Sequence, residues 1–120
     1  MDKKKIIIVE DDEGVLDMLF TIFETDFDVF RAENGQEAYE MFFQIRPVII
    51  VTDVMMPIMD GTSLTRKVKT ISPETTIFAI SGAKKTVLKD AEQAGADKVF
   101  SKPGGIPSLY QEVNNLSSKD

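Results

Sequence analysis

Residues 48–61 read VIIVTDVMMPIMDG, an apolar run that ends in Asp53 and then breaks at a proline and a glycine. A continuous apolar run bounded in this way is typical of a strand that is buried on both faces of a parallel sheet. Three other runs in the chain also end in polar residues: 6–9 before Glu10 and Asp11, 76–80 before Ser81, and 98–101 before Lys102. Because the carboxyl ends of parallel strands lie at the same edge of a sheet, these polar side chains are expected to converge.

Amphipathic segments alternate with the strands, because apolar residues recur there at spacings of three and four. The predicted elements are helices over about 13–25, between the Asn34-Gly35 turn and Pro47, across 64–71, across 87–94 with Gly95 as cap, and across 106–116 with Pro107 in the first turn, and a short strand over 27–32. Five βα units in this order predict an α/β fold with an open, doubly wound parallel sheet. We expect one domain over residues 1–120, with its ligands at the carboxyl ends of the strands.

Composition excludes several classes of function. The chain has 120 residues, 42% of them apolar, which suits one domain with its own core. Its net charge of −6 disfavours direct binding to nucleic acid, since the phosphate backbone rewards clustered Lys and Arg. Cysteine and histidine are absent, so thiol chemistry is excluded and any imidazole must come from another molecule. The apolar run before Glu10 is too short for a signal peptide or a membrane span, so we expect a cytoplasmic protein without a membrane partner.

Glu10, Asp11 and Asp53 are predicted to form an acidic cluster that needs a cation. Like charges gathered at one site raise one another's pKa unless a cation neutralises them. Carboxylate oxygens are hard ligands that suit Mg²⁺, which keeps several waters and takes one or two carboxylates. We expect Asp11 and Asp53 to bind Mg²⁺ directly, Glu10 to hold a coordinated water, and the backbone carbonyl of Met55 to complete the protein ligands.

Asp53 can also act as a phosphoryl acceptor, because a carboxylate oxygen can form an aspartyl phosphate. Phosphoryl transfer depends on charge neutralisation and in-line positioning more than on acid–base catalysis. Mg²⁺ and the Lys102 ammonium would neutralise the phosphoryl oxygens, and the Ser81 hydroxyl would donate one hydrogen bond to them. The site therefore has the groups that receive a phosphoryl group but no histidine to supply one.

From about residue 4 to about residue 116 the chain resembles the receiver domain of two-component response regulators. The matching segments, in order along one domain, are IIIVEDD at 6–12, DVMMPIMDG at 53–61, ISGA at 80–83, AGAD at 94–97 and KP at 102–103. The resemblance implies a flavodoxin-like fold with strand order 2-1-3-4-5. It also implies that a histidine kinase or histidine phosphotransfer protein phosphorylates Asp53, that Glu10 and Asp11 are the acidic pair, and that Ser81 and Lys102 contact the phosphoryl group.

The sequence departs from this family at two places. Receivers commonly carry Tyr or Phe three residues before the lysine, coupled to the Ser or Thr hydroxyl, and this position is Val99. Valine has one stiff rotor, and the adjacent Phe100 points to the opposite face of the strand. Gly104-Gly105 follows Pro103, and we expect a flexible hinge there. We hypothesise that phosphorylation still shifts the surface of helix four, strand five and helix five, and so the binding of a downstream protein, through loop and backbone movement.

Three classes of function compete on this sequence. The leading one is a signalling switch that accepts a phosphoryl group and does not turn over external substrates. The second is a phosphorylation-independent interaction module on the same fold, which the acidic cluster argues against and Val99 and Gly104-Gly105 keep open. The third is an enzyme or cofactor protein, but a phosphohydrolase would need Asp at the position of Met55. A flavin carrier would meet repulsion of its phosphate by the acids at 10–12.

Overall fold

The computed structural model describes residues 3–117, in which five strands alternate with five helices. The elements are β1 (Lys4–Val9), α1 (Glu13–Phe23), β2 (Phe27–Ala32), α2 (Gly35–Ile45), β3 (Ile49–Asp53), α3 (Gly61–Ile71), β4 (Thr76–Ser81), α4 (Lys85–Gln93), β5 (Lys98–Ser101) and α5 (Ile106–Asn115). This succession is the one that the apolar runs and the helical periodicity predict.

The five strands are parallel and form one sheet in the order β2-β1-β3-β4-β5, which confirms the predicted doubly wound arrangement. β3 lies at the centre of the sheet, and every one of its residues is buried. Burial on both faces explains why its sequence lacks polar alternation. The register pairs Asp53 with Ile80, and Ser81 with Ser101, so the carboxyl ends of β3, β4 and β5 lie close to one level.

Helices cover both faces of the sheet, over side chains of different size. Between the sheet and helices α1 and α5 lies a cluster of large apolar residues that includes Ile6, Ile8, Leu19, Phe23, Val51, Phe78 and Leu109. Between the other face of the sheet and helices α2 and α3 lie Ile7, Val9, Phe42, Ile50, Leu64 and Val68. The cluster between the sheet and α4 has smaller side chains: Val54, Ala79, Ala91 and Ala96, with Val87, Leu88 and Val99 at the margin. α4 is the helix with the smallest buried cluster. Because burial stabilises in proportion to apolar area, this cluster contributes the least hydrophobic stabilisation.

Polar residues fix where the first three helices begin. Asp12, Asn34 and Asp60 are the N-caps of α1, α2 and α3, and each side chain accepts a hydrogen bond of 2.8–3.0 Å from a backbone N–H three residues on. α4 begins without such a bond. It ends at Gln93 with Ala94 as its C-cap, and the next residue, Gly95, has a φ of 119°, which agrees with the predicted glycine cap.

Asn34-Gly35 is more than the plain turn that the sequence indicates. Gly35 is the first residue of α2, and its N–H donates a hydrogen bond of 2.9 Å to the backbone oxygen of Met59. A Cβ atom on Gly35 would lie 2.4 Å from that oxygen, so the contact requires glycine. This contact fixes the start of α2 beside the loop that leads into α3.

The helices described within residues 3–117 contain nine to eleven residues each. Such lengths suit helices that each cover part of one face of a sheet. None of these helices has the length and apolar character needed to cross a membrane.

Candidate functional site

The polar ends of β1, β3, β4 and β5 meet at one edge of the sheet. Glu10 directly follows β1, Asp53 and Ser81 are the last residues of β3 and β4, and Lys102 directly follows β5. Glu10, Asp53 and Ser81 are almost fully buried, with exposed fractions of 1%, 5% and 1%, whereas Asp11 is exposed. The edge therefore holds two carboxyl groups where water screens their charges poorly.

The Lys102 ammonium bridges the two buried carboxyl groups. Its Nζ atom donates a hydrogen bond of 2.9 Å to Oε1 of Glu10 and lies 3.4 Å from Oδ1 of Asp53. Backbone N–H groups hold the same side chains: that of Asp12 donates to Oε2 of Glu10 at 3.1 Å, and that of Val54 donates to Oδ1 of Asp53 at 3.0 Å. Within residues 3–117 no backbone N–H or ammonium group donates a hydrogen bond to Oδ2 of Asp53. Asp53 thus has one oxygen that N–H donors hold and one that they leave unengaged.

Burial raises the pKa values of both carboxyl groups. Removal from water is the largest cause at Glu10, whose pKa rises to about 7 although Lys102 donates a hydrogen bond to it; the charge of Asp53 raises it further. Burial also raises the pKa of Asp53, against the opposing charge of Lys102. For Lys102, burial lowers the pKa, but the hydrogen bond to Glu10 and the charge of Asp53 outweigh it and the pKa is raised. The Lys102 ammonium therefore does not fully offset the cost of burying the two carboxyl groups.

The acidic cluster has a donor set that fits a hard divalent cation. Glu10, Asp11 and Asp53 each offer one carboxylate oxygen, and these three oxygens lie within 4.8 Å of one another. An all-oxygen, anionic set of this kind suits Mg²⁺ better than softer metals. Burial raises the pKa values of Glu10 and Asp53, and a bound divalent cation would favour their charged forms. The side chain of Met55 is exposed, and the use of its carbonyl as a ligand stays a prediction.

The Ser81 hydroxyl lies at the same edge but contacts its own loop. Its Oγ atom accepts a hydrogen bond of 3.0 Å from the backbone N–H of Ala83. In the described part of the chain it has no hydrogen bond to Asp53 or Lys102. Its predicted role, as a donor to a phosphoryl oxygen, stays a prediction.

Position 99, at which an aromatic residue is expected, lies under α4. Val99 packs at the margin of the small cluster beneath that helix. Phe100 packs on the opposite face, where its ring centroid is 5.7 Å from that of Phe78. Strand alternation predicts these opposite directions correctly. Phe100 therefore cannot take the place of an aromatic residue at position 99.

Gly105 is closely packed, which differs from the expected loose hinge at Gly104-Gly105. Its N–H donates a hydrogen bond of 2.7 Å to the backbone oxygen of Ser101, and a Cβ atom there would lie 2.5 Å from that oxygen. A Cβ atom on Gly104 would meet nothing within 4 Å. The peptide between Lys102 and Pro103 is cis. Gly105 therefore permits a close approach of the α5 start to β5, and flexibility at Gly104 stays a prediction.

Sequence reasoning missed Gly61, which brings the loop after β3 back over Asp53. Its N–H donates a hydrogen bond of 2.8 Å to the backbone oxygen of Val54, and a Cβ atom there would lie 2.2 Å from that of Asp53. In the same loop Ile58 has a φ of 71°, which is strained for a β-branched residue. The Asp60-Gly61 pair was the available signal, because glycine beside a functional loop often permits close backbone approach.

Comparison with known proteins gives one consistent result. Residues 6–114 match the family model of the response regulator receiver domain. The chain is 32% identical over 115 residues to the chemotaxis protein CheY of Halobacterium salinarum, a match that covers 94% of this chain and 96% of that protein. A CheY-like response regulator receiver domain protein from Methanospirillum hungatei has the same fold, with a TM-score of 0.85 at 26% identity over 93% of this chain and 91% of that one.

Relatives of the chain differ in length. The transcriptional regulatory protein YesN of Bacillus subtilis is 33% identical, and the match covers 97% of this chain but only 34% of that protein. The same unit therefore occurs as nearly a whole protein in one relative and as about a third of another.

Proposed function

Because the chain belongs to the response regulator receiver domain family, whose members accept a phosphoryl group in two-component signalling, we propose that Asp53 is its phosphoacceptor. Asp53 ends the central strand, and Lys102 and a backbone N–H hold its Oδ1 atom. The unengaged Oδ2 atom is the observation that carries the proposal, because a fixed carboxylate with one unengaged oxygen is suited to attack a phosphorus atom.

The proposed donor is a phosphohistidine on a partner, either a histidine kinase or a histidine phosphotransfer protein, since this chain contains no histidine. An Asp53 oxygen forms the new P–O bond while the P–N bond of the phosphohistidine breaks. The imidazole leaves with the electron pair of that bond and takes up a proton, so the products are an aspartyl phosphate and a neutral histidine. Lys102, whose pKa is raised, stays protonated and offsets the charge of the phosphoryl oxygens.

We infer that the acidic cluster holds Mg²⁺ through Asp11 and Asp53, with Glu10 acting through a water and the Met55 carbonyl as the remaining protein ligand. Lys102 already engages Oε1 of Glu10, which supports an indirect role for that residue. When bound, the ion supplies positive charge that lowers the repulsion between a carboxylate and phosphoryl oxygens. The Ser81 Oγ atom accepts a hydrogen bond from a backbone N–H, so its own proton remains to be donated to a phosphoryl oxygen.

The proposed response to phosphorylation is a shift of α4, β5 and α5 that changes the binding of a downstream protein. α4 has the smallest buried cluster beneath it and lacks a side-chain cap, which supports its movement. Since Val99 cannot swing as an aromatic residue does, the movement must come from the loop after Ser81 and the backbone of β5. Beryllofluoride, which mimics the phosphoryl group, should change amide NMR shifts across α4 and β5. Changes confined to residues in contact with Asp53 would contradict this response.

We propose that residues 1–120 form one receiver domain that acts by protein contact and does not turn over external substrates. The nearly complete match to CheY supports a unit of this size. The net charge of −6 supports a protein partner and not direct binding to nucleic acid.

Intact-mass measurement after incubation with Mg²⁺ and acetyl phosphate tests the phosphoacceptor assignment. We expect a single phosphoryl adduct that disappears in Asp53→Asn protein and when Mg²⁺ is chelated. Asp12→Asn is the matched control, because it removes a neighbouring charge and keeps an acceptor at the N-cap of α1. This variant should still form the adduct.

Other outcomes would support the competing functions. No adduct from acetyl phosphate or from a phosphohistidine donor would favour an interaction module that works without phosphorylation. An adduct that persists in Asp53→Asn protein would show that another residue is the phosphoacceptor. Continuous release of phosphate from several phosphate esters would favour a phosphohydrolase.

A further inference from the structure

α2 and α3 are adjacent helices of opposite charge. α2 contains two acidic residues and no basic residue, whereas α3 contains three basic residues and no acidic one. Lys69 of α3 pairs with Asp97, outside this pair of helices. In the described part of the chain, Glu40 of α2 and Arg66 and Lys67 of α3 form no ion pair. The two helices therefore present unpaired charges of opposite sign side by side.

Apolar side chains are exposed on the same two helices. Phe43 of α2 is 49% exposed and Ile71 of α3 is 47% exposed. The Phe43 ring packs edge-on against Tyr39, with 5.1 Å between the centroids. The Nζ atom of Lys67 lies 5.5 Å from the centre of the Tyr39 ring, so Tyr39 spans the seam between the helices. An aromatic centre with charged neighbours has the composition of a protein interface.

The two helices are matched in length and in level. Each contains 11 residues, and the contact of Gly35 with Met59 holds the start of α2 beside the loop into α3. Arg46 and Ser72, which follow α2 and α3, line the same pocket at the other end. Because both helices return from the carboxyl edge of a parallel sheet, they run in the same direction.

A twofold axis that lies in the plane of the face, along the seam between the two helices, places α2 of one copy against α3 of the other in parallel orientation. Counting from the starts of the helices, Glu40 is the sixth residue of α2 and Arg66 is the sixth residue of α3. The rotation therefore opposes Glu40 of each copy to Arg66 of the other, and it does so twice.

We propose that the α2–α3 face, defined by Tyr39, Glu40, Phe43, Arg66, Lys67 and Ile71, is a docking surface for a second copy of this chain. A twofold interface uses the same patch on both copies and must complement itself. The acidic helix beside the basic helix meets this condition, whereas a partner of one sign would be repelled by one of the helices. The face uses no residue of α4, β5 or α5, so pairing leaves the proposed output surface accessible.

The size of the face indicates a weak dimer. Each helix of 11 residues is about 16 Å long, so the patch belongs with interfaces that bury less than about 1,200 Å². Interfaces of this size are typical of transient complexes. We expect a dimer that dissociates in the micromolar range or above and that weakens at high salt.

Sedimentation velocity of the full chain, from about 5 μM to about 500 μM, tests the proposal. Wild-type protein should show a dimer that grows with concentration, and Glu40→Arg or Arg66→Glu should each weaken association about tenfold or more. The double variant Glu40→Arg with Arg66→Glu restores opposite charges across the axis and should return association to within about threefold of wild type. Phe43→Ser should weaken it independently of charge.

Glu24→Arg is the matched control, since it makes the same change of charge at an exposed residue after α1. It should leave association unchanged, and thermal unfolding should show that all variants remain folded. A monomer throughout the concentration range would overturn the proposal. Association that is unchanged by Phe43→Ser and by both single charge reversals would also overturn it. Failure of the double variant to restore association would refute the opposition of Glu40 and Arg66.

Discussion

Two lysine–carboxylate clusters lie at opposite ends of the same sheet and differ in how their charges balance. Among the ammonium groups of residues 3–117, only that of Lys102 contacts Glu10 and Asp53 at the carboxyl edge, and Asp11 offers a third carboxylate nearby. Burial raises the pKa values of Glu10 and Asp53 in spite of this contact. Three acids therefore share one cation.

At the amino edge the charges are matched one to one. The Nζ atom of Lys69 lies 2.8 Å from Oδ2 of Asp97 and donates hydrogen bonds to the backbone oxygens of Thr75, at 2.7 Å, and Pro73, at 3.1 Å. Oδ2 of Asp97 also accepts a hydrogen bond of 2.8 Å from the backbone N–H of Ile77. These groups join the end of α3 to the starts of β4 and β5.

The difference shows which of two similar clusters is built for chemistry. A structural cluster satisfies its own charges, because an unpaired charge away from water is costly. A site that must receive a cation and a phosphoryl group keeps unbalanced charge at some loss of stability. The imbalance at Glu10 and Asp53, more than the presence of acids, supports the proposal that the carboxyl edge is the functional one.

The largest expected effect is that of Lys102→Met, which removes the cation from the unbalanced cluster. We expect labelling of Asp53 by acetyl phosphate to slow about a hundredfold or more, because a positive charge aimed at the phosphoryl oxygens is lost. At pH 8 without Mg²⁺ the free energy of unfolding should fall by about 2–4 kcal/mol, since Glu10 loses its buried partner. Rates from intact mass and urea unfolding measure the two effects.

Lys69→Met is the matched control at the amino edge. It should lower stability but leave the labelling rate of Asp53 unchanged, because Lys69 lies at the other end of the sheet. Equal losses of labelling in the two variants would show that the clusters are not functionally distinct.

The dependence of stability on pH is the second expected effect. An unfolded Glu10 releases its proton near its ordinary pKa of 4.5, whereas the folded protein retains it up to about 7. Without Mg²⁺, stability that is present below pH 4.5 is therefore lost as the pH rises to about 7, by at most about 3 kcal/mol. Urea unfolding at intervals of about one pH unit between pH 5 and 8 measures this loss.

Glu10→Gln should remove much of this pH dependence and raise the stability of the metal-free protein at pH 8. The amide keeps the shape of the side chain and an acceptor for Lys102 without the buried negative charge. An unchanged pH profile in this variant would assign the loss of stability to other groups.

Much of the fold follows from short-range patterns in the sequence. The apolar runs without alternation predict β3 and the buried part of β1, and the acids that follow them predict the carboxyl edge. Alternation along β5 predicts that Val99 and Phe100 face opposite sides. These inferences succeed because strand and helix periodicity depend on the residues themselves.

Contacts between distant loops could not be inferred in the same way. Gly35 and Gly105 are required by backbone oxygens of Met59 and Ser101, and such close approaches appear only once the chain is folded. The same limit applies to Gly61 over Asp53. The charge balance of the two lysine clusters is also a property of tertiary structure, because nothing near Lys69 in the sequence indicates Asp97 as its partner.

A smaller effect is expected for Asp97→Ala at the amino edge. The variant removes the acceptor of the Ile77 N–H and the partner of Lys69, so the free energy of unfolding should fall by about 1–2 kcal/mol. Asp97→Asn keeps an acceptor oxygen and should lose less. Urea unfolding measures both values, and slower labelling of Asp53 in either variant would contradict the separation of the clusters.

The smallest expected effect is stabilisation by Mg²⁺, and it should be confined to the unbalanced cluster. A ligand that binds the folded protein alone, at about four times its dissociation constant, adds about 1 kcal/mol to the free energy of unfolding. The gain should be larger at pH 8 than at pH 5.5, because Glu10 retains its proton at the lower pH and the cluster then carries less negative charge. Thermal unfolding with Mg²⁺ and with chelator measures it.

Asp11→Asn and Asp12→Asn separate binding at the cluster from a general effect of salt. Asp11 belongs to the set of oxygens that lie within 4.8 Å of one another, whereas Asp12 caps α1 with its side chain and lies outside that set. Asp11→Asn should abolish the gain in stability from Mg²⁺, and Asp12→Asn should retain it. Equal gains in the two variants would mean that the ion acts elsewhere, and the carboxyl edge would then lack the cation that its excess of acids calls for.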